Sequence, residues 1–137
     1  MSLPTLGEVV LVGATVLMLA KTISSIAEIT TGETLDPDTV IYRRGGTNPS
    51  NLTPSLRDVM FYPLTGKGLS FSLTPSPGAA MTTVGALNAT GILYAVKDGL
   101  DHVSVFPVGG TIEEWRNAGS SSIWTQTLKS LVKKWGG

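Results

Sequence analysis

Ile92-Leu93-Tyr94-Ala95-Val96-Lys97-Asp98-Gly99-Leu100-Asp101-His102-Val103-Ser104-Val105-Phe106-Pro107 reads as two strands on either side of a turn. Ile92 to Val96 is apolar, and Lys97-Asp98-Gly99 is a turn whose Asp-Gly pair suits positive φ. From His102 to Pro107 the residues alternate: Val103 and Val105 fall on one face, and His102, Ser104 and Phe106 on the other. The second strand thus begins with the only histidine of the chain.

Moving towards the N-terminus, Met81 to Thr90 reads as a helix, with Ala80, Met81, Val84 and Leu87 on one face and Gly91 as its stop. Leu69 to Leu73 is a short strand, ended by Thr74-Pro75-Ser76-Pro77-Gly78. Ser55 can cap a short helix through Met60, and Pro63 to Gly68 reads as loop. Thr39-Val40-Ile41-Tyr42-Arg43 is a β-branched and aromatic strand, and Gly45 to Ser50 turns the chain. Moving towards the C-terminus, Thr111 and Glu114 form a capping-box signature for a short helix. Ser122 to Trp135 is a final helix, with Ile123, Thr127, Leu128, Leu131, Val132 and Trp135 at spacings of three and four.

Residues 8–29 read as one helix, apolar from Val9 to Ala20 and amphipathic beyond it. That run is shorter than the roughly 20 residues a bilayer span needs. The start of the chain carries no basic residue, which fits a signal peptide poorly. The helix can pack on the domain or a partner, engage a membrane in transit, or anchor. Gly32 can end it, and Pro37 keeps Asp36 extended. The fold expected is α+β: an N-terminal hydrophobic helix, then a small sheet of short strands packed against two or three helices. The division falls near residue 35, giving segments 1–35 and 36–137.

The chain has 137 residues, no cysteine and one histidine, with 42% apolar and 15% charged residues. Without cysteine there is no disulfide framework and no thiolate metal site, and a single imidazole argues against zinc. No phosphate-binding loop, dinucleotide fingerprint or metalloprotease motif occurs, so no cofactor and no metal are expected. Zero net charge argues against broad nonspecific nucleic-acid binding. Residues 36–137 are slightly basic, with nine Lys or Arg against seven Asp or Glu. Lys129, Lys133 and Lys134 are read as favourable charge at the end of the last helix.

His102 is the first catalytic candidate, as an imidazole able to move a proton at the edge of a sheet. Arg43 and Arg44 are the next, because a guanidinium can hold a phosphate or a pentacoordinate phosphorane. Strand alternation lets only one of the two face a given pocket. Ser70 and Ser72 share one strand face and can hydrogen-bond phosphate oxygens or orient a base. Thr47, Thr74 and Ser104 are candidate substrate-binding hydroxyls. No Gly-x-Ser-x-Gly elbow surrounds either serine. Glu113 and Glu114 precede Trp115, and capping alone accounts for Glu114. Trp115, Trp124 and Trp135 are read as core or partner contacts.

Arg44-Gly45-Gly46, Gly68-Leu69-Ser70-Phe71-Ser72 and His102-Val103-Ser104-Val105 with Pro107 occur in that order. The set resembles the C-terminal toxin domains of bacterial polymorphic toxins of the Rhs and contact-dependent growth inhibition type. The likeness covers residues 38–117. It implies a pre-toxin segment at residues 1–35 for crossing into the target cell and a catalytic toxin domain at 36–137. It also implies delivery from a secreted or cell-surface protein, action in the target cytoplasm, and a cognate immunity protein. The implied activity is similar to that of metal-independent ribonucleases of the barnase, EndoU, colicin and RelE group. These activate the ribose 2′-hydroxyl against the adjacent phosphate. Under that resemblance His102 is the base or acid, Arg44 or Arg43 the phosphate clamp, and Ser70 or Ser72 a positioning hydroxyl. RNA is the expected substrate, tRNA included. The neutral charge suggests a host protein that helps present it, and residues 8–29 are expected to engage the membrane during delivery. An ADP-ribosyltransferase toxin is the rival, with an arginine on an early strand, a Ser-x-Ser strand and a late glutamate. Here those are Arg43, Ser70-Phe71-Ser72, and Glu113 or Glu114. A membrane-active or interaction module is the non-enzymatic alternative.

Overall fold

The computed structural model describes residues 32–137. The expected helix at residues 8–29, and with it the membrane expectation, lies outside the described residues. Among the described residues no helix is long and apolar enough to cross a membrane.

The fold is α+β. Six strands form one antiparallel sheet: β1 (Val40–Arg43), β2 (Leu69–Ser72), β3 (Ala80–Thr83), β4 (Leu93–Lys97), β5 (His102–Pro107) and β6 (Lys133–Lys134). Their spatial order is β4-β5-β2-β1-β3-β6. The two strands read around the Asp98 turn are neighbours, with Ala95 opposite Val105. β5 then pairs with β2, which sets Ser70 opposite Ser104 and Ser72 opposite His102. β2 meets β1 at Ser72 and Tyr42. The three polar segments that stood far apart in sequence therefore lie on three adjacent strands. At the edge beyond β4, Glu33 and Lys97 exchange backbone hydrogen bonds of 2.8 and 3.0 Å.

Four α-helices accompany the sheet among the described residues: α1 (Leu56–Thr65), α2 (Val84–Ala89), α3 (Ile112–Ala118) and α4 (Ile123–Leu131). Alternation buries Ile41, Leu69, Phe71, Val103 and Val105 on one side of the sheet. Val84, Leu87, Ile112, Trp115 and Leu128 of α2, α3 and α4 belong to the same core. That burial is the main source of stability, at about 25 cal/mol per Å² of apolar surface removed from water. Thr125 is its polar centre. Its hydroxyl accepts from Trp115 Nε1 at 2.8 Å and donates to the Leu52 carbonyl at 3.1 Å. Trp115 is core, as read from the sequence, while Trp124 packs against that core and Trp135 stands edge-on to Tyr42.

Three local expectations are corrected. Met81 to Thr90 is not one helix: β3 takes Ala80–Thr83, paired along β1, and α2 begins after Thr83. Thr82 and Thr83 are β-branched, and the free edge of β1 offers them a ladder. Thr83 then caps α2, its hydroxyl accepting from the Ala86 amide at 3.1 Å. The last helix stops at Leu131 rather than Trp135. Val132 is extended, and Lys133 and Lys134 form the edge strand β6. The two lysines are thus exposed cations on a sheet edge, which discourages further strand pairing, and of the three C-terminal lysines only Lys129 lies in the last turn of the helix. Finally, α1 runs through Pro63 to Thr65. A Ser55–Asp58 capping box starts it, and Gly66, in the left-handed region, closes it by donating to the Tyr62 carbonyl at 2.7 Å. The helix therefore continues past Met60 and contains Pro63, which forfeits the bond to the Val59 carbonyl.

Candidate active site

An open cleft of about 410 Å³ lies over β1, β2 and the start of β5. It is lined by Tyr42, Arg43, Arg44, Ser70, Phe71, Ser72, Thr74, Pro75, Ser76, Asp101 and His102. Six sequence candidates therefore share one cavity: His102, Arg43, Arg44, Ser70, Ser72 and Thr74. Thr47 and Ser104 are not part of its lining.

At the site, His102 bridges two side chains. Its Nδ1 makes a short contact with Asp98 Oδ1. An ionised carboxylate only accepts, so Nδ1 carries the proton. In the neutral ring Nε2 is then the acceptor, and Ser70 Oγ donates to it at 3.0 Å. Ser72 is the register partner of His102, yet the ring reaches diagonally to Ser70, within the range of long cross-strand side chains. The imidazole keeps 25% of its side-chain surface exposed and Asp98 keeps 13%. The imidazole thus opens to the cleft while its carboxylate partner is shielded.

Asp98 is held in turn. Ser104 Oγ donates to Asp98 Oδ2 at 2.6 Å and accepts from the Gly68 amide at 3.0 Å. Ser104 is fully buried, which corrects its reading as a substrate-binding hydroxyl: its oxygen is spent on Asp98. Gly68 is required here by proximity. A Cβ at that position would stand 2.5 Å from the Val105 carbonyl.

Both arginines line the cleft, which corrects the expectation that only one could face it, but their side chains are engaged differently. Arg43 donates through Nε to the Asn51 carbonyl and through Nη1 to the Ser70 carbonyl at 2.8 Å. Burial lowers its pKa from the ordinary value, opposed by the nearby Asp58 carboxylate, and it remains cationic at neutral pH. Arg43 therefore ties β1 to β2 and to the turn around Asn51. Arg44 is exposed, lines the cleft, and its guanidinium is unpaired among the described residues. The glycines after it make a tight turn. Gly45 has φ +105°, and Asn51 Nδ2 donates to the carbonyls of Arg44 and Gly46 at 3.1 and 2.7 Å. Thr47 sits in this turn, outside the cleft.

Asp98 and Asp101 were missed as site residues. Asp98 lies four positions before His102 in the same strand connection, and that spacing was its signal. It was read only as an Asp-Gly turn, yet Gly99 does not take positive φ. Asp101 Oδ1 accepts from the Leu73 amide at 3.1 Å and from Thr74 Oγ1 at 2.9 Å. Together with the Ser72 hydroxyl, which donates to the Thr74 carbonyl at 2.7 Å, it shapes one wall. Glu113 and Glu114 lie on α3 and do not line the cleft. Glu114 closes the expected capping box, its carboxylate accepting from the Thr111 amide at 2.9 Å.

The described residues hold no group of three or more His, Cys, Asp or Glu placed to bind a metal ion. Comparison with known proteins finds no matching family model, no matching curated protein and no matching solved structure.

Proposed function

We propose that this domain is a toxin enzyme that cleaves RNA without a metal, by 2′-hydroxyl attack on the adjacent phosphate. The observation that carries the reading is His102 Nε2. It is an accessible proton acceptor fixed by Asp98, in a cleft that also holds the unpaired Arg44 guanidinium. In the reaction the 2′-hydroxyl takes the place of Ser70 Oγ on Nε2 and gives up its proton there. O2′ bonds to phosphorus, the P–O5′ bond breaks, and the imidazolium returns its proton to the departing O5′. The products are a 2′,3′-cyclic phosphate and a 5′-hydroxyl. Arg44 offsets charge developing on the phosphorane oxygens, and Ser70 positions the ribose. Delivery into a competing bacterium and inhibition by an immunity protein seated over the cleft belong to this proposal. So does a host protein that presents the RNA to a domain with little net charge.

The test is purified full-length chain incubated with total bacterial RNA in the presence of a chelator. Discrete fragments ending in cyclic phosphate are expected, and His102→Ala should slow their formation about 10²–10⁴-fold, the usual share of a general base. Intact RNA at high enzyme concentration, or cleavage indifferent to His102, refutes the reading.

One arrangement favours ADP-ribosyl transfer as a second reading: an arginine of β1 hydrogen-bonds the Ser-x-Ser strand β2 directly. Against it, the glutamates it would use lie on α3, away from the cleft. Consumption of NAD with RNA left intact would decide for it.

A further inference from the structure

The ring nitrogen that would serve a ribose already serves a protein hydroxyl. Ser70 Oγ, His102 and Asp98 form an unbroken hydroxyl–imidazole–carboxylate chain, with 3.0 Å between Oγ and Nε2. A nucleophile within hydrogen-bond reach of a base that a third group orients is the geometric signature of an activated serine. We propose that Ser70 is a nucleophile, that the cleft takes small carboxylic esters as a second class of substrate, and that electrophilic phosphorus esters inactivate it.

Four features support this beyond the distance. Ser70 is exposed on the cleft side of β2, so an electrophile can reach Oγ. Its backbone carbonyl is held by Arg43 at 2.8 Å, which fixes the residue that carries Oγ. The carboxylate is locked by buried Ser104 at 2.6 Å, so the ring is oriented before any substrate arrives. Arg44 supplies the positive charge for a developing oxyanion in the same cleft. A cation can serve where a pair of backbone amides does so elsewhere. The absence of a strained strand-to-helix elbow concerns only how the serine is presented. Here a flat strand does so, because the base comes from the adjoining strand.

With an ester, Oγ passes its proton to Nε2 and bonds to the carbonyl carbon. The C–O bond to the leaving alcohol breaks, and the imidazolium gives that alcohol the proton. Water then attacks the acyl carbon while Nε2 takes its proton. The acid departs and Oγ is reprotonated. With a fluorophosphonate, Oγ passes its proton to Nε2 and bonds to phosphorus, fluoride leaves with the bonding pair, and the reaction stops at the covalent adduct.

This goes beyond RNA cleavage and does not depend on it. The experiment is a fluorophosphonate probe added to the full chain, with the adduct located by peptide mass spectrometry and total RNA cleavage measured on the same preparation. A single adduct on Ser70 is expected, absent in Ser70→Ala. It should form at least about 10²-fold more slowly in His102→Ala. Unlabelled wild-type protein overturns the proposal even if it cleaves RNA, and so does labelling at a rate independent of His102. A His102-dependent adduct upholds it even if RNA stays intact. Matching circular-dichroism spectra of the variants exclude unfolding as the cause of lost labelling.

Discussion

The Asp98 carboxylate accepts from His102 with one oxygen and from Ser104 with the other, so its replacement by asparagine changes which ring nitrogen carries the proton. Asp98→Asn should lower kcat for RNA on the order of 10²–10⁴-fold with KM nearly unchanged, the mark of a residue that orients a base rather than binding substrate. Steady-state kinetics check this, and an equal rise in KM would speak for a binding role. The arginines should behave oppositely to each other. Arg44→Ala should weaken RNA binding and leave thermal unfolding unchanged, because its side chain is unpaired among the described residues. Arg43→Ala should lower Tm, because it removes the donor to the Asn51 and Ser70 carbonyls. Binding assays beside calorimetry distinguish the two. At this scale the sequence singled out His102, Arg44 and Ser70, which line one cleft. It did not reveal Asp98, because a carboxylate in a turn looks the same whether it supports only the turn or an imidazole as well. Nor did it reveal the fate of Ser104: strand alternation gave its face correctly, but burial at that point depends on Gly68 and Asp98 closing over it.

Among the elements, β5 governs the site, because it is paired on both sides and carries His102 at its start. Its alternation was readable in the sequence, as were β1, β2, β4 and the N-terminal caps of α1 and α3. Two of the boundaries that failed share one cause. Ala80–Thr83 and Lys133–Lys134 are strands only because a neighbouring strand edge is there to pair with, and local residue patterns contain no record of that edge. The Thr125 hub ties α4 to α3 and to the Leu52 turn. Thr125→Val keeps the shape but leaves Trp115 Nε1 without an acceptor, at a cost of about 1–3 kcal/mol. Chemical denaturation should show that loss. A variant as stable as wild type would mean that the hub contributes little to holding the helices.

For the domain as a whole, charge is the limiting quantity. A chain of zero net charge with one unpaired guanidinium in its cleft cannot bind RNA by broad neutralisation of phosphates. For single-stranded RNA the logarithm of affinity falls with the logarithm of salt by about 0.7 per phosphate contacted. Wild type should show a shallow slope of about one to two contacts, and Arg44→Ala should lose about 0.7 of it. A steep slope would place the RNA on a basic surface outside the cleft. The division of labour in the fold agrees with this expectation: one side of the sheet is given to the apolar core, and the polar end of the other carries the cleft.

The most direct test of the central claim is digestion of total RNA by the purified full chain in the presence of a chelator, beside His102→Ala. The account predicts metal-independent fragments with cyclic phosphate ends from the wild type and almost none from the variant. Undigested RNA in both lanes, or the same fragments in both, would contradict it.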